Sequence, residues 1–486
     1  MLHERIPAVH DETPLFVDVD GTLTRADISL ESFVRIARSS FAAMLAVLAW
    51  LVTGRAIAKT RAARRDPIDP SRLPYRQEVL DLIEQAKREG RPVILASASH
   101  WRHICRIADH LGISEKSIAT KGRANLKGKN KLAAIRARIG PEAAFDYVGD
   151  SRADCCLWRE ARRGWSVGHL PPRSAVQRLG GARAGQFRIT LTAMRPHQWA
   201  KNALVIVPAF TSGMFSTPSI LLTAVAAALL MSLIASSIYL LNDLLDIDSD
   251  RAHRTKFARP LAHGDLSIPA ALGLSLALAG AGLAGGWLLG GAALTFWLFA
   301  YMAITTAYSF RLKAVMVGDA IILAALYTIR LWIGAIAIGV PLSFWLLLFS
   351  VFLFLSLAYL KRYIEMRDAI VPHRLLSGRG YVGGDLEVVM MSGVSAGMVA
   401  VLVLALFAND MAASTNYANP ELLWLLCVPL IYWMNRIWMM ARRGQVEGDH
   451  VAFAVKDRRS ILIGGAMACI FAAALYGPEA GVLIAG

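Results

Sequence analysis

The chain has 486 residues, of which 55% are hydrophobic and only 18% charged, a balance too apolar for two ordinary soluble domains and one that requires much of the surface to face lipid. Its formal net charge is +16, from 52 Lys and Arg against 36 Asp and Glu; the basic residues lie in short loops between apolar runs, the pattern of a membrane protein's cytoplasmic side, so nucleic acid is excluded as the expected partner. Five cysteines without paired spacing exclude a disulfide framework.

In chain order, the start Met1 to Pro7 has no basic segment followed by an apolar one. No cleaved signal peptide is expected, and the first domain is placed in the cytosol. Residues 14–170 alternate short apolar strands with helical stretches, and three strands end in polar residues: Leu15-Phe16-Val17 before Asp18, Pro92 to Ala96 before Ser97, and Phe145 to Val148 before Gly149-Asp150. That rhythm predicts an α/β Rossmann-like domain with parallel strands and a site at their carboxyl ends. Ile28 to Arg65 reads as a helical cap inserted after the first strand, the whole cap reaching over about 28–75. Within it, the apolar run Phe41 to Val52 is shorter than the roughly 20 residues that span a bilayer; a peripheral membrane contact is the secondary reading.

Asp18-Val19-Asp20-Gly21-Thr22 places two carboxylates two residues apart directly after a buried strand. Such a pair repels unless a cation or a shared proton holds it, which favours metal or acid/base chemistry. Ser97, a lysine of Lys127-Gly128-Lys129-Asn130-Lys131, and Gly149-Asp150-Ser151-Arg152-Ala153-Asp154 follow in that order. Together these motifs resemble the haloacid dehalogenase (HAD) superfamily, most closely its phosphoserine phosphatase-like members with a helical cap, over roughly residues 14–170. The resemblance implies Asp18 as nucleophile, Asp20 as general acid/base, Ser97 and a lysine as phosphate binders, and a Mg²⁺ site of Asp18, Asp20, Asp150 and Asp154. Lys127 is the preferred lysine by its spacing to Asp150 in that family, with Lys129 and Lys131 open.

Residues 171–189, rich in Gly, Pro and Arg, read as a linker between a domain 1–170 and an all-α polytopic membrane domain 190–486. Nine spans are predicted, near 200–215, 219–241, 268–288, 291–310, 317–338, 343–362, 387–408, 421–440 and 460–477. Loops carrying Arg251 to Arg259, Arg311 and Lys313, Lys361 to Arg379, and Arg442 to Arg459 alternate with loops that have no Lys or Arg, which sets the basic loops on the cytoplasmic side of an inner membrane.

Asn242-Asp243-Leu244-Leu245-Asp246-Ile247-Asp248-Ser249-Asp250 closes the second span. On a helix, Asn242, Asp246 and Asp250 recur every four residues with Asp243 on the same face, so three carboxylates and an amide share one side and call for Mg²⁺; Asp248 faces elsewhere. Cations follow in Arg251, Lys256 and Arg259, with more at Arg195, Lys201, Lys313, Lys361 and Arg362, and Tyr308 beside them. Carboxylates that hold Mg²⁺ and are ringed by Lys and Arg suit a diphosphate substrate.

This stretch resembles the UbiA superfamily of intramembrane prenyltransferases over about residues 190–480, through the spacing Asn-Asp-x-x-Asp-x-x-x-Asp. Where ordinary members carry a second acidic motif after the sixth span, this chain reads Lys361-Arg362-Tyr363-Ile364-Glu365-Met366-Arg367-Asp368. With Arg195-Pro196-His197-Gln198-Trp199-Ala200-Lys201-Asn202, the string Arg251 to Pro260, and Phe453 to Arg458, that departure resembles the decaprenyl-phosphate phosphoribosyltransferase branch. The resemblance implies phosphoribosyl diphosphate as donor and a polyprenyl phosphate as acceptor. The expectation is a bifunctional membrane enzyme in which the HAD domain removes the 5-phosphate of the product; a homo-oligomer is compatible with the sequence. The alternative is an aromatic prenyltransferase using a polyprenyl diphosphate, with an HAD phosphatase of unrelated substrate or a regulatory HAD module.

Overall fold

The computed structural model describes residues 12–66, 68–121, 125–169, 176–181, 185–368, 380–411, 417–446, 453 and 457–477. The expected linker, the basic loop after Lys361 and the Phe453 to Arg458 string fall partly outside these residues. The chain divides into two compact units: one holds the residues up to Met194 together with Tyr239–Ser275, the other Arg195–Ile238 and the residues from Leu276 onward.

The first unit is built on six parallel strands, β1 (Leu15–Val17), β2 (Val93–His100), β3 (Ile118–Thr120), β4 (Asp146–Gly149), β5 (Arg163–Ser166) and β6 (Gln177–Arg178), in the order β3-β2-β1-β4-β5-β6. The strand β6 and the start of the helix from Gln186 lie inside the stretch expected to be a linker. Leu15, Val17, Val93 and Leu95 point to one face of the sheet; Phe16, Ile94, Ala96 and Tyr147 point to the other. This period of two lets each short apolar strand build two cores.

Three helices, α1 (Ile28–Ser39), α2 (Phe41–Thr53) and α3 (Arg55–Arg65), stand between β1 and α4 (Gln77–Arg88). Asp27 accepts from Leu30 N to start α1, and Ser40 accepts from Ala43 N to start α2. The helices α4 and α5 (Trp101–His110) cover the first face with Val79, Ile83, Ile104 and Ile107. The other face is covered by α6 (Lys129–Ile139) and α7 (Cys155–Glu160) through Ile135, Leu157 and Trp158. The unit also holds α8 (Gln186–Met194).

In the second unit, residues Pro196–Ile206 form a 3₁₀ run that leads into α9 (Val207–Thr211), so the first expected span is short and irregular. Next comes α10 (Pro218–Leu245), whose last turns belong to the first unit with α11 (Ile247–Arg251) and α12 (Pro260–His263). The remaining helices are α13 (Ile268–Phe310), α14 (Gly318–Ile338), α15 (Phe344–Asp368), α16 (Leu386–Met411), α17 (Cys427–Arg442) and α18 (Arg458–Tyr476). Among the described residues seven helical segments are long and apolar enough to cross a membrane. One of them, α13, breaks at Gly290 and Gly291, whose φ of −142° and 62° leave the helical region; it corresponds to two of the nine expected spans. Large side chains of α14 to α17, among them Tyr327, Phe354, Leu360, Tyr363, Met434 and Trp438, form the unit's largest core. There Gly393 is needed for close packing, since a Cβ would stand 2.2 Å from the Trp438 ring.

Candidate functional site

In the first unit β1 lies between β2 and β4, so its carboxyl end opens where the chain order reverses, the place at which an α/β sheet leaves a crevice. Asp18 and Asp20 follow β1, Ser97 lies on β2, and Asp150 follows β4. Asp20 is held at both oxygens: Ile28 N donates to Oδ1 at 3.0 Å and Ser97 Oγ to Oδ2 at 2.9 Å. Asp18 is buried, with Oδ1 accepting from Val19 N at 2.9 Å. The turn directly after Asp20 needs glycine, because Gly21 has φ 79° and a Cβ there would stand 2.5 Å from Asp150 Oδ2.

The lysine that reaches these carboxylates is Lys131, in the first turn of α6, with Nζ 2.8 Å from Asp18 and 3.6 Å from Asp154. Lys127 and Lys129 are exposed. The structure thus places Lys131 rather than the preferred Lys127 at these carboxylates: as the third residue of α6 it faces Tyr147 on β4 and donates to its hydroxyl at 3.1 Å. Tyr147 in turn donates to Asp154 at 2.8 Å, and Asp154 accepts from Ser151 Oγ at 2.8 Å and Ser151 N at 3.1 Å, fixing the loop that carries Asp150. Burial raises the Asp18 carboxyl to about 7 although Lys131 opposes the shift, with Asp154 and Asp20 adding to it. Burial works against the Lys131 ammonium, but Asp18 and Asp154 outweigh it and raise it above its ordinary value.

Asp18, Asp150 and Asp154 offer oxygens within 4.8 Å of one another, and among the described residues no other His, Cys, Asp or Glu trio does so. An all-oxygen set of this charge fits a hard divalent cation such as Mg²⁺. A bound cation would favour the ionised form of Asp18.

The Asp-rich stretch is bent at Asp246, whose φ of −104° and ψ of 14° separate α10 from α11. The i to i−4 bonding persists across the bend, from Asp246 N to Asn242 O at 2.9 Å and from Asp250 N to Asp246 O at 2.8 Å. Asp243 and Asp250, both buried, share a face as expected, and one Arg259 nitrogen bridges them at 3.2 and 2.5 Å. Here the cation that offsets their repulsion is a guanidinium of the same chain. Asp246 instead lies 3.5 Å from Arg38 of α1, and Asn242 is half-buried on α10.

Other expectations along this stretch change with the fold. Arg251, expected at the substrate, is buried against Glu31 of α1 in a two-pronged pair of 2.9 and 2.6 Å, with its Nε donating to Ala262 O at 2.9 Å. All its nitrogens are engaged. Asp248, expected to be ordinary, pairs with Arg35 of α1 at 3.0 Å, and Arg25 reaches Asp265 at 2.7 Å. Lys256 is exposed. A cavity of about 670 Å³ within this unit is lined by Asp20, Arg76 and Asp150 and, from the segment after the Asp-rich stretch, by Leu261, Asp265 and Ser267.

The remaining expected residues belong to the second unit. Arg195 opens the 3₁₀ run with φ 55°, a left-handed conformation uncommon for a residue with a side chain, and Lys201 follows within that run. Tyr308, Lys313 and Lys361 are half-buried. Arg362 is fully buried: it pairs with Asp319 at 2.6 Å and with Glu365, and donates to Tyr308 OH at 2.9 Å. Asp319 also accepts from Tyr381 OH at 2.7 Å. The sequence reading missed Asp319 and a second buried cation, Arg330, whose neighbours are Asn202 Oδ1 at 3.0 Å, Tyr301 OH at 2.9 Å and the rings of Tyr301 and Tyr327. The signal was available, since ionisable residues inside an apolar 21-residue helix are functional candidates by default.

Two family models match the chain, a haloacid dehalogenase-like hydrolase over residues 15–159 and the UbiA prenyltransferase family over residues 203–456. An uncharacterized protein, y4nM, of Sinorhizobium fredii is 33% identical over 95% of this chain and 91% of its own length. The nodulation protein NoeC of Azorhizobium caulinodans is 34% identical over 59% of this chain and 93% of its own length. The decaprenyl-phosphate phosphoribosyltransferase of Mycolicibacterium smegmatis is 37% identical over 41% of this chain and 60% of its own length. With seven helical segments apolar and long enough to cross a bilayer, an HAD domain ahead of them and relatives of this kind, the chain is an integral membrane protein that belongs to the UbiA prenyltransferase family.

Proposed function

We propose that the protein transfers 5-phosphoribose from phosphoribosyl diphosphate to a polyprenyl phosphate and then removes the 5-phosphate of the lipid-linked product. In the first step a lipid phosphate oxygen forms the bond to the anomeric carbon while diphosphate leaves with the electrons of the broken C–O bond. Asn242, Asp243, Asp246 and Asp250 serve the Mg²⁺-bound diphosphate, and Arg195, Lys201, Arg259, Tyr308, Lys313, Lys361 and Arg362 serve the phosphates or hold those that do. In the second, Asp18 attacks the 5-phosphorus, Asp20 protonates the departing sugar oxygen and then takes a proton from the water that hydrolyses the aspartyl phosphate. Ser97 and Lys131 hold the phosphoryl oxygens, Asp18, Asp150 and Asp154 would hold Mg²⁺, which would offset the charge between nucleophile and substrate, and the three-helix insertion acts as a cap. The membrane domain crosses an inner membrane nine times with the HAD domain and the basic loops in the cytoplasm.

The observation that carries this reading is the cavity. The phosphatase-like carboxylates Asp20 and Asp150 share it with the segment that directly follows the Asp-rich stretch, which suits a substrate that stays attached to lipid. The phosphoribosyltransferase relative at 37% identity supports the choice of donor and acceptor. The test supplies purified protein in detergent with labelled phosphoribosyl diphosphate, a polyprenyl phosphate and Mg²⁺, and compares it with Asp18→Asn. Label entering lipid, with the variant accumulating a phosphorylated lipid sugar that the parent converts further, is the expected result. Label that never enters lipid, together with turnover of a prenyl diphosphate and an aromatic acceptor, would replace this reading with the conventional prenyltransferase.

A further inference from the structure

Helix α2 is apolar around its circumference, with no charged residue from Phe41 to Thr53, yet the protein covers only one side of it. Val47 and Trp50 pack with Phe33 and Ile36 of α1 and with Ala58 and Ala62 of α3. Met44, Leu45, Leu48, Leu51 and Val52 form the opposite edge at helical spacing and are exposed, Val52 by 89%. A helix that is apolar all round is ordinarily buried all round, and a contiguous bare patch of this kind marks a contact.

The start of α2 identifies what covers it. Arg38, in the last turn of α1, donates to the carbonyl of Leu245 at the end of α10 and lies 3.5 Å from Asp246. The membrane-length helix α10 passes there from Leu244 and Leu245 into an acidic stretch, which sets the level of the lipid head groups. Ser40 caps α2 two residues after Arg38. The bare helix therefore begins beside the polar end of a membrane span. It has 13 residues, about 20 Å of helix, too little to cross a bilayer of about 30 Å. Beyond Gly54, α3 exposes Arg61, Arg64 and Arg65, and Arg65 lies over the Trp50 ring at 4.9 Å. Exposed arginines on the helix that follows a bare apolar one are what an interfacial segment offers to anionic head groups.

We propose that α2 lies in the bilayer interface, with the edge from Met44 to Val52 in the acyl layer and the arginines of α3 among the head groups, so that the α/β domain has its own membrane anchor. This holds whichever reactions the two domains catalyse. The test is site-specific photocrosslinking in the full-length protein, reconstituted in phosphatidylethanolamine and phosphatidylglycerol bilayers, with p-benzoylphenylalanine in place of Leu48 or Val52. Glu84, exposed on α4, is the control. Mass spectrometry is expected to find phospholipid adducts at 48 and 52 and none at 84. Adducts to a second copy or another protein at 48 and 52, or the absence of lipid adducts there while Trp50-region folding is intact by limited proteolysis, would overturn the proposal.

Discussion

Replacing Glu31 by Ala removes the partner of Arg251 from a site where both side chains are nearly sealed, at 5% and 2% exposure. Burying a guanidinium is tolerable here because Glu31 meets it with both oxygens and Ala262 takes its third donor. Truncating one partner of such a pair costs about 3–5 kcal/mol, since the other charge stays buried and uncompensated. The cost falls on the segment from Asp246 to Leu266, which α1 holds through this pair and the weaker contacts of Arg35 and Arg38. At 1.4 kcal/mol per tenfold, opening of that segment should become about 10² to 10⁴ times more frequent. Hydrogen-exchange mass spectrometry of the detergent-solubilised protein reads this directly, as faster exchange of the Asp250 and Ala252 amides. The double variant Glu31→Leu with Arg251→Met, apolar on both sides, should recover most of the protection. Exchange in Glu31→Ala that differs from the parent by less than about threefold would mean that the pair does not hold the segment and would refute the argument.

Other outcomes follow from the same geometry. Lys131→Met should lower phosphomonoesterase turnover by about 10² to 10³-fold, the usual effect of losing one donor to a developing charge, while Lys127→Ala stays near the parent; a p-nitrophenyl phosphate assay separates them. Burial holds the His100 imidazole down to about 4, with His103 and Arg102 contributing. An unfolded chain takes up that proton near 6.5, so between those values the folded state binds one proton fewer at this site, and the His100 contribution to stability falls as the pH drops from about 6.5 toward 4, opposite in sign to that of Asp18. Over that window the melting temperature of His100→Gln should fall less, or rise more, on acidification than that of the parent. Arg259→Gln leaves buried Asp243 and Asp250 facing each other without their bridging cation, so added Mg²⁺ should raise the melting temperature of the variant more than that of the parent.

Much of the α/β unit was legible from the sequence because its signals are local. Asp18 and Asp150 directly follow β1 and β4, and Ser97 follows the apolar first half of β2, so all three could be named from the chain and the sheet brings them to one edge. The lysine that meets Asp18 was a different problem. Lys127, Lys129 and Lys131 are equivalent in composition, and only the start of α6, two residues before Lys131, decides which one turns inward. The Asp-rich stretch shows the same limit, since helical spacing foresees that Asp243 and Asp250 share a face but not the bend at Asp246 that turns its carboxylate toward Arg38.

By itself, the sequence determined two domains of different solvent. An 18% charged chain with apolar runs of span length must place those runs in lipid, and strands that alternate with helices must form a parallel sheet. Neither conclusion needs contacts far apart in the chain. Only the tertiary structure decided which charges are sealed in pairs and which face water. Arg251 and Lys256 look alike as residues five apart in one basic string, yet one is sealed against Glu31, 220 positions away, and the other is exposed. A guanidinium's role is set by whether a partner reaches it out of water, and that partner comes from wherever folding brings the chain.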